Sequence, residues 1–309
     1  MPAPRVRKFL IAVSLAFCGL PTGMAKDWYV DNVRGDDRWN GSPTRAGGER
    51  EGPLKTLGRA LEGVIPGDRI VLTKTTMPYH ECVTLAGERH SGSPLTPFVI
   101  EGNGAILDGS RPTEEFDWRL VGGEIFQLPL KKSEYQQLFL DGKPALRVPR
   151  EANRAAMDLK PLEWRLDEGR LLFRTEPTRI PQDYKPSVAI HTAAFTLYHV
   201  RHVLIRDLIV QGYQLDGIQA HDAGSGGPIV LADVTARGNG RSGIAVVGAS
   251  EVAIDGCLVG NNGRAQIFAS GPADARITNS TILDNTAPPF VIENGAEIFD
   301  EGKRQSPAK

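Results

Sequence analysis

A repeated pattern of apolar residues between positions 202 and 295 constrains the fold more than any other feature of the sequence. Ile205, Leu231, Ile254 and Ile277 are separated by 26, 23 and 23 residues, and two further columns keep these spacings. The two further columns are Val210, Ala236, Val259, Ile282 and Ile218, Ile244, Ile267, Phe290. Periods of about 20–50 residues indicate stacked supersecondary units, none of which can bury its apolar face alone.

The units of this repeat are built from strands. Short alternating stretches such as Val203–Ile205 and Gly243–Val246 are separated by Gly or Asn, and none is long enough for a crossover helix. Three short strands per turn therefore predict a parallel β-solenoid. A fourth column supports it, because stacked amides can hydrogen-bond along the axis and Asn tolerates the left-handed backbone of a corner. That column is Tyr213, Asn239, Asn262 and Asn285.

The N-terminal half contains a series of short Gly-, Asp- and Asn-containing segments. They are Tyr29-Val30, Gly35-Asp36-Asp37, Asn40-Gly41-Ser42-Pro43, Gly52-Pro53-Leu54-Lys55-Thr56-Leu57, Pro66-Gly67-Asp68 and Gly102-Asn103-Gly104-Ala105-Ile106-Leu107-Asp108-Gly109. This series resembles the opening of secreted right-handed parallel β-helix proteins, the pectate-lyase-like proteins. With the C-terminal repeats, the resemblance covers about two thirds of the mature chain and implies an all-β, right-handed parallel β-helix. It is specific for the fold and not for an activity, since such scaffolds support many chemistries.

A helix and an inserted lobe complete the predicted architecture. Leu54, Leu57, Leu61 and Val64 have helical spacing and predict a capping helix over the open N-terminal end of the solenoid. We assign residues 26–114 to this cap and the first coils, and residues 188–300 to the C-terminal coils. Residues 115–187 break the period and predict a β-rich lobe with hairpins at 138–143 and 164–173. We expect residues 301–309 to be a disordered tail.

The inserted lobe has a resemblance of its own. Asp141-Gly142-Lys143, followed by Arg147 and Pro149, is similar to a strand in the inserted lobe of some β-helix glycoside hydrolases. This resemblance implies glycoside hydrolysis as an alternative activity. Hydrolysis of the polygalacturonase type would need paired Asp residues together with a Gly-His-Gly segment, and the sequence does not bring the two together.

Residues 1–25 have the features of a secretory signal peptide. Arg5, Arg7 and Lys8 precede the apolar stretch Phe9–Leu20, and Gly23-Met24-Ala25 supplies the small residues of a cleavage site. The apolar stretch is too short to span a membrane comfortably, and no later stretch approaches that length. The sequence therefore predicts an exported protein, periplasmic or extracellular, with no integral membrane segment after processing.

The charge composition excludes one large class of function. Lys and Arg number 36 against 37 Asp and Glu, which gives a net charge of −1 and excludes a strongly basic nucleic-acid binder. An apolar content of 40% is enough for a real core. We therefore expect no nucleic-acid partner. We also expect a monomer that binds a polysaccharide along the outer surface of the solenoid.

The segment Tyr213–Asp222 is the predicted site. The first repeat is three residues longer than the others, and the surplus follows directly after His221-Asp222. With Ile218 facing inward, Gln219 and His221 face outward. His221 then begins an outward row that continues through Val247, Ser270 and Glu293.

These residue types suit a uronate lyase or epimerase, which removes the proton beside a sugar carboxylate. His221 is the candidate base, with Asp222 or Asp216 orienting its ring, and Tyr213 is the candidate acid. Gln219 is a substrate contact, and Arg241 or Arg264 would hold the substrate carboxylate. The His221-Asp222 end resembles the Tyr-Gly-(Phe/Ile)-Asp-Pro-His-Asp motif of mannuronan C5-epimerases, and Gln219-Ala220 departs from it.

Two further alternatives stay open. Asp207 and Asp233 share a column that continues with Gly256 and Asn279, which leaves Ca²⁺ open as a cofactor although an incomplete ladder of this kind more often caps a turn. The sequence requires no cofactor. The protein is also compatible with a non-catalytic surface or polysaccharide-binding scaffold.

Overall fold

The computed structural model describes residues 25–43, 49–114, 117–130, 135–148 and 158–306. All of the predicted signal peptide except Ala25 lies outside these ranges. Within them, no helix is both long and apolar enough to cross a lipid bilayer.

Like residues stack directly above one another in the interior of the molecule. Ile205 pairs with Leu231, Leu231 with Ile254, and Ile254 with Ile277, in strands that run parallel. The side chains of all four residues are at most 1% exposed. The other two apolar columns pair in the same way. The predicted parallel β-helix is confirmed, and the stacking buries apolar faces that a single coil would leave exposed.

Two sheets form the sides of the β-helix. The first sheet has eleven strands. They are Asp27–Val30, Arg69–Leu72, Phe98–Asp108, Val203–Gln211, Ile229–Arg237, Glu251–Asp255, Leu258–Gly260, Asp274–Thr278, Thr281–Ile282, Glu297–Asp300 and Lys303–Arg304. The second sheet has six strands, which are Val83–Ala86, Ala193–Tyr198, Asp216–His221, Ser242–Val247, Ala265–Ser270 and Phe290–Glu293.

A stacked corner divides the first sheet into two legs. Asn103, Asp207, Asp233 and Asn279 have φ angles of 51° to 53°, and Gly256 in the same column has 62°. This left-handed conformation is accessible to Gly, Asn and Asp at little cost. The column of Asp207 and Asp233 therefore forms a turn. Among the described residues, no group of three or more His, Cys, Asp or Glu side chains is placed to hold a metal ion.

Buried amides form a ladder at the next corner, between the first and second sheets. Asn262 Oδ1 accepts from the backbone N–H of Asn239 at 2.9 Å and from its side-chain Nδ2 at 3.1 Å. Asn239 Oδ1 in turn accepts from the N–H of Tyr213 at 3.1 Å. The expectation that these asparagines are themselves left-handed is wrong. The positive φ angles belong instead to Gly238 and Asn261, which precede Asn239 and Asn262. The turn is made at these preceding residues, and the amides of Asn239 and Asn262 face inward and bond along the axis.

A short helix, Leu57–Gly63, covers the N-terminal end of the β-helix. Thr56 caps it by accepting a hydrogen bond from the N–H of Arg59 at 3.1 Å. Leu57, Ala60 and Leu61 are buried against the first coils, which would otherwise expose their interior. Two 3-10 turns, Glu88–His90 and Pro181–Tyr184, also lie within the described ranges.

A lobe whose strands are mostly antiparallel is inserted into the stack, and the chain then returns to the β-helix. Phe98–Asp108, before the lobe, pairs directly with Val203–Gln211, after it, so the stacking continues past the insertion. One lobe sheet contains Arg119–Gly122, Ile125–Pro129, Leu146–Arg147, Glu163–Asp167 and Arg170–Arg174. The other contains Ser110–Pro112, Leu138–Leu140, Lys143–Pro144 and Ser187–Ala189, so the lobe begins before the boundary predicted at residue 115.

The lobe has a core of its own, built from Trp118, Trp164, Phe173 and Tyr184. Both predicted hairpins form antiparallel pairs. Their turns place two residues each in the left-handed region, Asp141-Gly142 in one hairpin and Glu168-Gly169 in the other.

The expectation of a disordered tail from residue 301 is wrong for the part that the structure describes. Lys303–Arg304 turns back and pairs antiparallel with Glu297–Asp300. This hairpin closes the free edge of the first sheet, which explains why a polar segment is ordered there. Residues 307–309 lie outside the described ranges.

The amide ladder predicts unequal effects of two similar substitutions. Asn262→Ala should lower the free energy of unfolding by about 2–4 kcal/mol, because it leaves several buried donors and acceptors unpaired. Asn285→Ala, in the same column but exposed, should cost less than about 1 kcal/mol. Urea unfolding measures both, and equal losses would contradict a stabilising role for the buried ladder.

Candidate functional site

The predicted outward row on the second sheet is present. Tyr198 pairs with His221, which pairs with Val247, and the row continues to Ser270 and Glu293. Burial lowers the pKa of His221 below its ordinary value. Asp216 and Asp222 act weakly in the other direction, and Arg241 adds to the lowering. The ring is therefore neutral at physiological pH and half-buried on the outer surface.

Tyr213 is not part of the outer surface. Its side chain is fully buried, and its hydroxyl donates to the carbonyl of Glu81 at 2.7 Å. Burial raises its pKa well above the usual value. The predicted role of Tyr213 as catalytic acid is therefore wrong, because no ligand outside the solenoid can reach this hydroxyl.

Asp216 and Arg241 form a buried ion pair instead of a catalytic group and a substrate contact. Asp216 is fully buried and accepts from Arg241 Nε at 3.0 Å, from Arg241 Nη2 at 2.6 Å and from Ser242 Oγ at 2.6 Å. The guanidinium also lies 4.8 Å from the ring centre of Phe268. Arg241 thus compensates the charge of Asp216, and both carboxylate oxygens of Asp216 accept from Arg241 or Ser242.

Asp222 and Gln219 likewise bond within the solenoid. Asp222 has a φ of 48° and accepts from the N–H of Ala249 in the next coil at 2.8 Å. Gln219 donates from Nε2 to Thr196 Oγ1 at 2.8 Å on the neighbouring strand. Asp222 and Gln219 therefore each have a hydrogen-bond partner within the solenoid.

A cleft of about 1300 Å³ lies elsewhere, between the lobe and the corner of the solenoid that carries the amide ladder. Of the predicted site residues, only Arg264 lines it. The lobe side is formed by Tyr135, Gln137, Phe139, Gly142, Lys143, Pro144, Ala145, Leu146 and Arg147. The solenoid side is formed by Gln211, Arg237, Gly238, Asn261, Asn262, Gly263, Arg264, Asn285 and Thr286.

The two sides of the cleft meet at Gly238. A Cβ atom there would lie 3.1 Å from Phe139 Cε1 and 3.2 Å from Pro144 Cγ, and the φ of 62° itself favours glycine. The hairpin of the lobe therefore packs closely on this corner of the solenoid. Arg264 makes a second connection, since its Nη1 donates to the hydroxyl of Tyr135 in the lobe at 3.0 Å.

The cleft is strongly cationic. Lys143 and Arg147 line it from the lobe, and Arg237 and Arg264 from the solenoid. None of the described lining residues carries a carboxylate. Arg264 is paired with Glu293 outside the lining at 2.7 Å, whereas Arg237 Nε donates to the neutral Gln211 Oε1 at 3.0 Å. Burial lowers the pKa of Arg147, whose guanidinium lies 5.5 Å from the ring centre of Trp164.

Gln137 is a neutral polar residue that also lines this cleft. The residue is only 5% exposed, and its side-chain Oε1 is buried without a hydrogen-bond partner. Its backbone is held on both sides, because its N–H donates to Gln136 Oε1 at 2.8 Å and its carbonyl accepts from Ala189 N at 3.2 Å. A buried amide oxygen left unpaired lowers the stability of the fold.

Sequence reasoning missed most of this cleft. Lys143 and Arg147 lie in the segment from which the lobe was identified, but nothing periodic shows which part of the solenoid the lobe contacts. The one available signal was Gly238, a glycine at the start of a corner whose neighbours in the column are Gly212 and Asn261.

Comparison with known proteins identifies the fold. Residues 188–304 match the family model described as the right handed beta helix region. The chain has a right-handed parallel β-helix fold. No curated protein matches it.

Solved structures resemble this β-helix protein over most of its length. The complex of XylC with xylose aligns at 11% identity with a TM-score of 0.53, covering 88% of this chain and 57% of that one. A glycoside hydrolase aligns at 13% identity with a TM-score of 0.58, covering 88% of this chain and 74% of that one. The pectate lyase Pel9A aligns at 13% identity over 82% of this chain and 62% of that one, with a TM-score of only 0.33. At these identities the likeness shows the fold alone.

The buried ion pair gives a direct test of the structural role assigned to two predicted site residues. Asp216→Asn should lower the free energy of unfolding by about 2–4 kcal/mol, because Arg241 loses its counter-charge in a largely buried position. The double variant Asp216→Asn/Arg241→Gln should recover part of that loss. A single variant as stable as the wild type in thermal unfolding would contradict the assignment.

Proposed function

We propose that this β-helix protein binds an acidic polysaccharide, rich in uronate residues, in the cleft between the lobe and the solenoid. One observation carries the proposal: Lys143, Arg147, Arg237 and Arg264 line a cleft whose described lining residues include no carboxylate. A ligand with several carboxylates would complement this cationic lining, and arginine forks suit planar carboxylates. The volume of about 1300 Å³ accommodates several sugar residues.

The nature of the structural neighbours supports a sugar ligand. One neighbour is a complex with xylose, and another is a glycoside hydrolase. The signal-peptide features of residues 1–25 support export, which would bring the protein to extracellular or periplasmic polysaccharides. We thus propose that the chain is an exported, carbohydrate-active β-helix protein.

Lyase or epimerase chemistry is the activity we assign to this cleft. Both reactions begin when a base, here the phenolate form of Tyr135 beside Arg264, takes the proton from C5 of a uronate. In elimination, the electron pair forms the C4–C5 double bond and O4 leaves with the proton that Tyr135 has taken; in epimerisation, water returns a proton to the opposite face. The contact of Tyr135 with Arg264 favours this chemistry, because it places a hydroxyl that can transfer a proton beside a carboxylate-binding group. Hydrolysis would need two carboxylates flanking the bond, and the described lining residues supply none.

Binding should depend on the cleft cations. Arg237→Ala should weaken the affinity for an oligogalacturonate or an oligomannuronate about tenfold, because one charge-assisted contact is lost. Arg276→Ala, which removes an exposed arginine paired with Asp274 outside the cleft, should leave the affinity unchanged. Calorimetric titration measures both, and binding should weaken as ionic strength rises. A neutral xylo-oligosaccharide bound equally well would contradict the proposal.

The proposed chemistry should depend on Tyr135. Tyr135→Phe should reduce turnover of a polyuronate at least about a hundredfold while changing its affinity little, because only the proton-transferring oxygen is removed. Ultraviolet absorbance of the unsaturated product follows elimination, and proton NMR of the polymer follows epimerisation. New reducing ends without unsaturation would instead indicate a hydrolase. Binding without any turnover would indicate a polysaccharide-binding scaffold.

Gln137 should affect stability and not recognition, because its unpaired Oε1 is buried. Gln137→Met removes an unsatisfied buried acceptor, so the melting temperature should stay the same or rise. Thermal unfolding measures the effect, and a clear fall in the melting temperature would contradict it.

A further inference from the structure

A buried carboxylate near the N-terminus has no cationic partner. Asp68 is 1% exposed. Its oxygens accept from the backbone N–H of Lys26 at 2.8 Å, from the indole Nε1 of Trp28 at 2.9 Å and from the N–H of Ile65 at 3.0 Å. All three donors are neutral groups.

No described side chain compensates this charge. The described Lys, Arg and His residues form no ion pair with Asp68, and the ammonium of Lys26 points elsewhere. Its Nζ donates to the carbonyl of Asn40 at 3.1 Å and lies 3.5 Å from the ring centre of Trp28. A buried carboxylate without a cation costs several kcal/mol, so the missing positive charge needs an explanation.

The sequence places a cleavage site at the same residue. Gly23-Met24-Ala25 precedes Lys26 and has the small residues that a signal peptidase requires. Hydrolysis of the Ala25–Lys26 bond adds the hydroxyl of water to the Ala25 carbonyl. The Lys26 nitrogen takes the remaining hydrogen and one further proton, and becomes an ammonium. The nitrogen that gains this charge already lies 2.8 Å from Asp68 Oδ1.

We propose that the protein is cleaved between Ala25 and Lys26. Asp68 then forms an ion pair with the α-ammonium group that this cleavage creates on Lys26. The ion pair then joins the first strand to the loop that follows the capping helix. Arg69 N, next to Asp68, donates to the carbonyl of Lys26 at 2.9 Å, so both sides of the pair are positioned by the first sheet. Processing thereby stabilises the N-terminal end of the β-helix, and the precursor is the less stable form.

The test compares two N-termini of the same chain. A cleavable fusion whose protease leaves no extra residue yields one form that begins at Lys26 and one that begins at Met24. The form beginning at Lys26 should melt about 3–6 °C higher, because only it carries the ammonium beside Asp68. Asp68→Asn in both forms should reduce the difference to less than about 1 °C.

Asp31→Asn is the matched control. Asp31 is also buried near the N-terminus, but it accepts from the N–H groups of Val33 and Arg34 and not from Lys26. The difference between the two N-termini should therefore persist in this variant. Equal melting temperatures of the two wild-type forms would overturn the proposal without any substitution. An intact mass of the exported protein that does not begin at Lys26 would overturn it as well.

Discussion

The register between successive coils is the constraint on which the rest of the structure depends. Parallel pairing sets Ile205 over Leu231 and Ile254, and each such column fixes which neighbouring side chains face outward. The lobe leaves this register unchanged. Phe98–Asp108 and Val203–Gln211 pair directly, although the whole lobe lies between them in the sequence. Gln211 Nε2 also donates to Asp108 Oδ2 at 2.9 Å across the same junction. The outer surface can therefore carry an insertion without loss of the core.

The cleft arises where this regular scaffold meets an irregular lobe. Most described arginines outside the cleft are paired with carboxylates, as Arg69 is with Asp27 and Arg206 with Glu101. The net charge of the chain is only −1, so the concentration of cations in the cleft is a local property and not a consequence of composition. Such a local field attracts anionic polymers and makes their binding sensitive to salt.

The periodic part of the fold was predictable from the sequence, and the candidate site was not. Equal spacings identified the columns, the inward residues and the outward row through His221. Tyr213 was misassigned because a column of polar residues at a corner does not reveal that its side chains face inward. The burial of Asp216 was not predictable, because it depends on pairing with Arg241 from the next coil. The contact of Phe139 with Gly238 has no periodic signature at all, so the position of the lobe could not be derived.

Hydrogen–deuterium exchange in the presence of a saturating oligouronate tests the central claim most directly. The account predicts slower exchange in the lobe hairpin around residues 138–144 and in the solenoid corner around residues 237–238 and 261–264. Protection confined to the second-sheet strands around His221, with no change in the lobe hairpin, would contradict it.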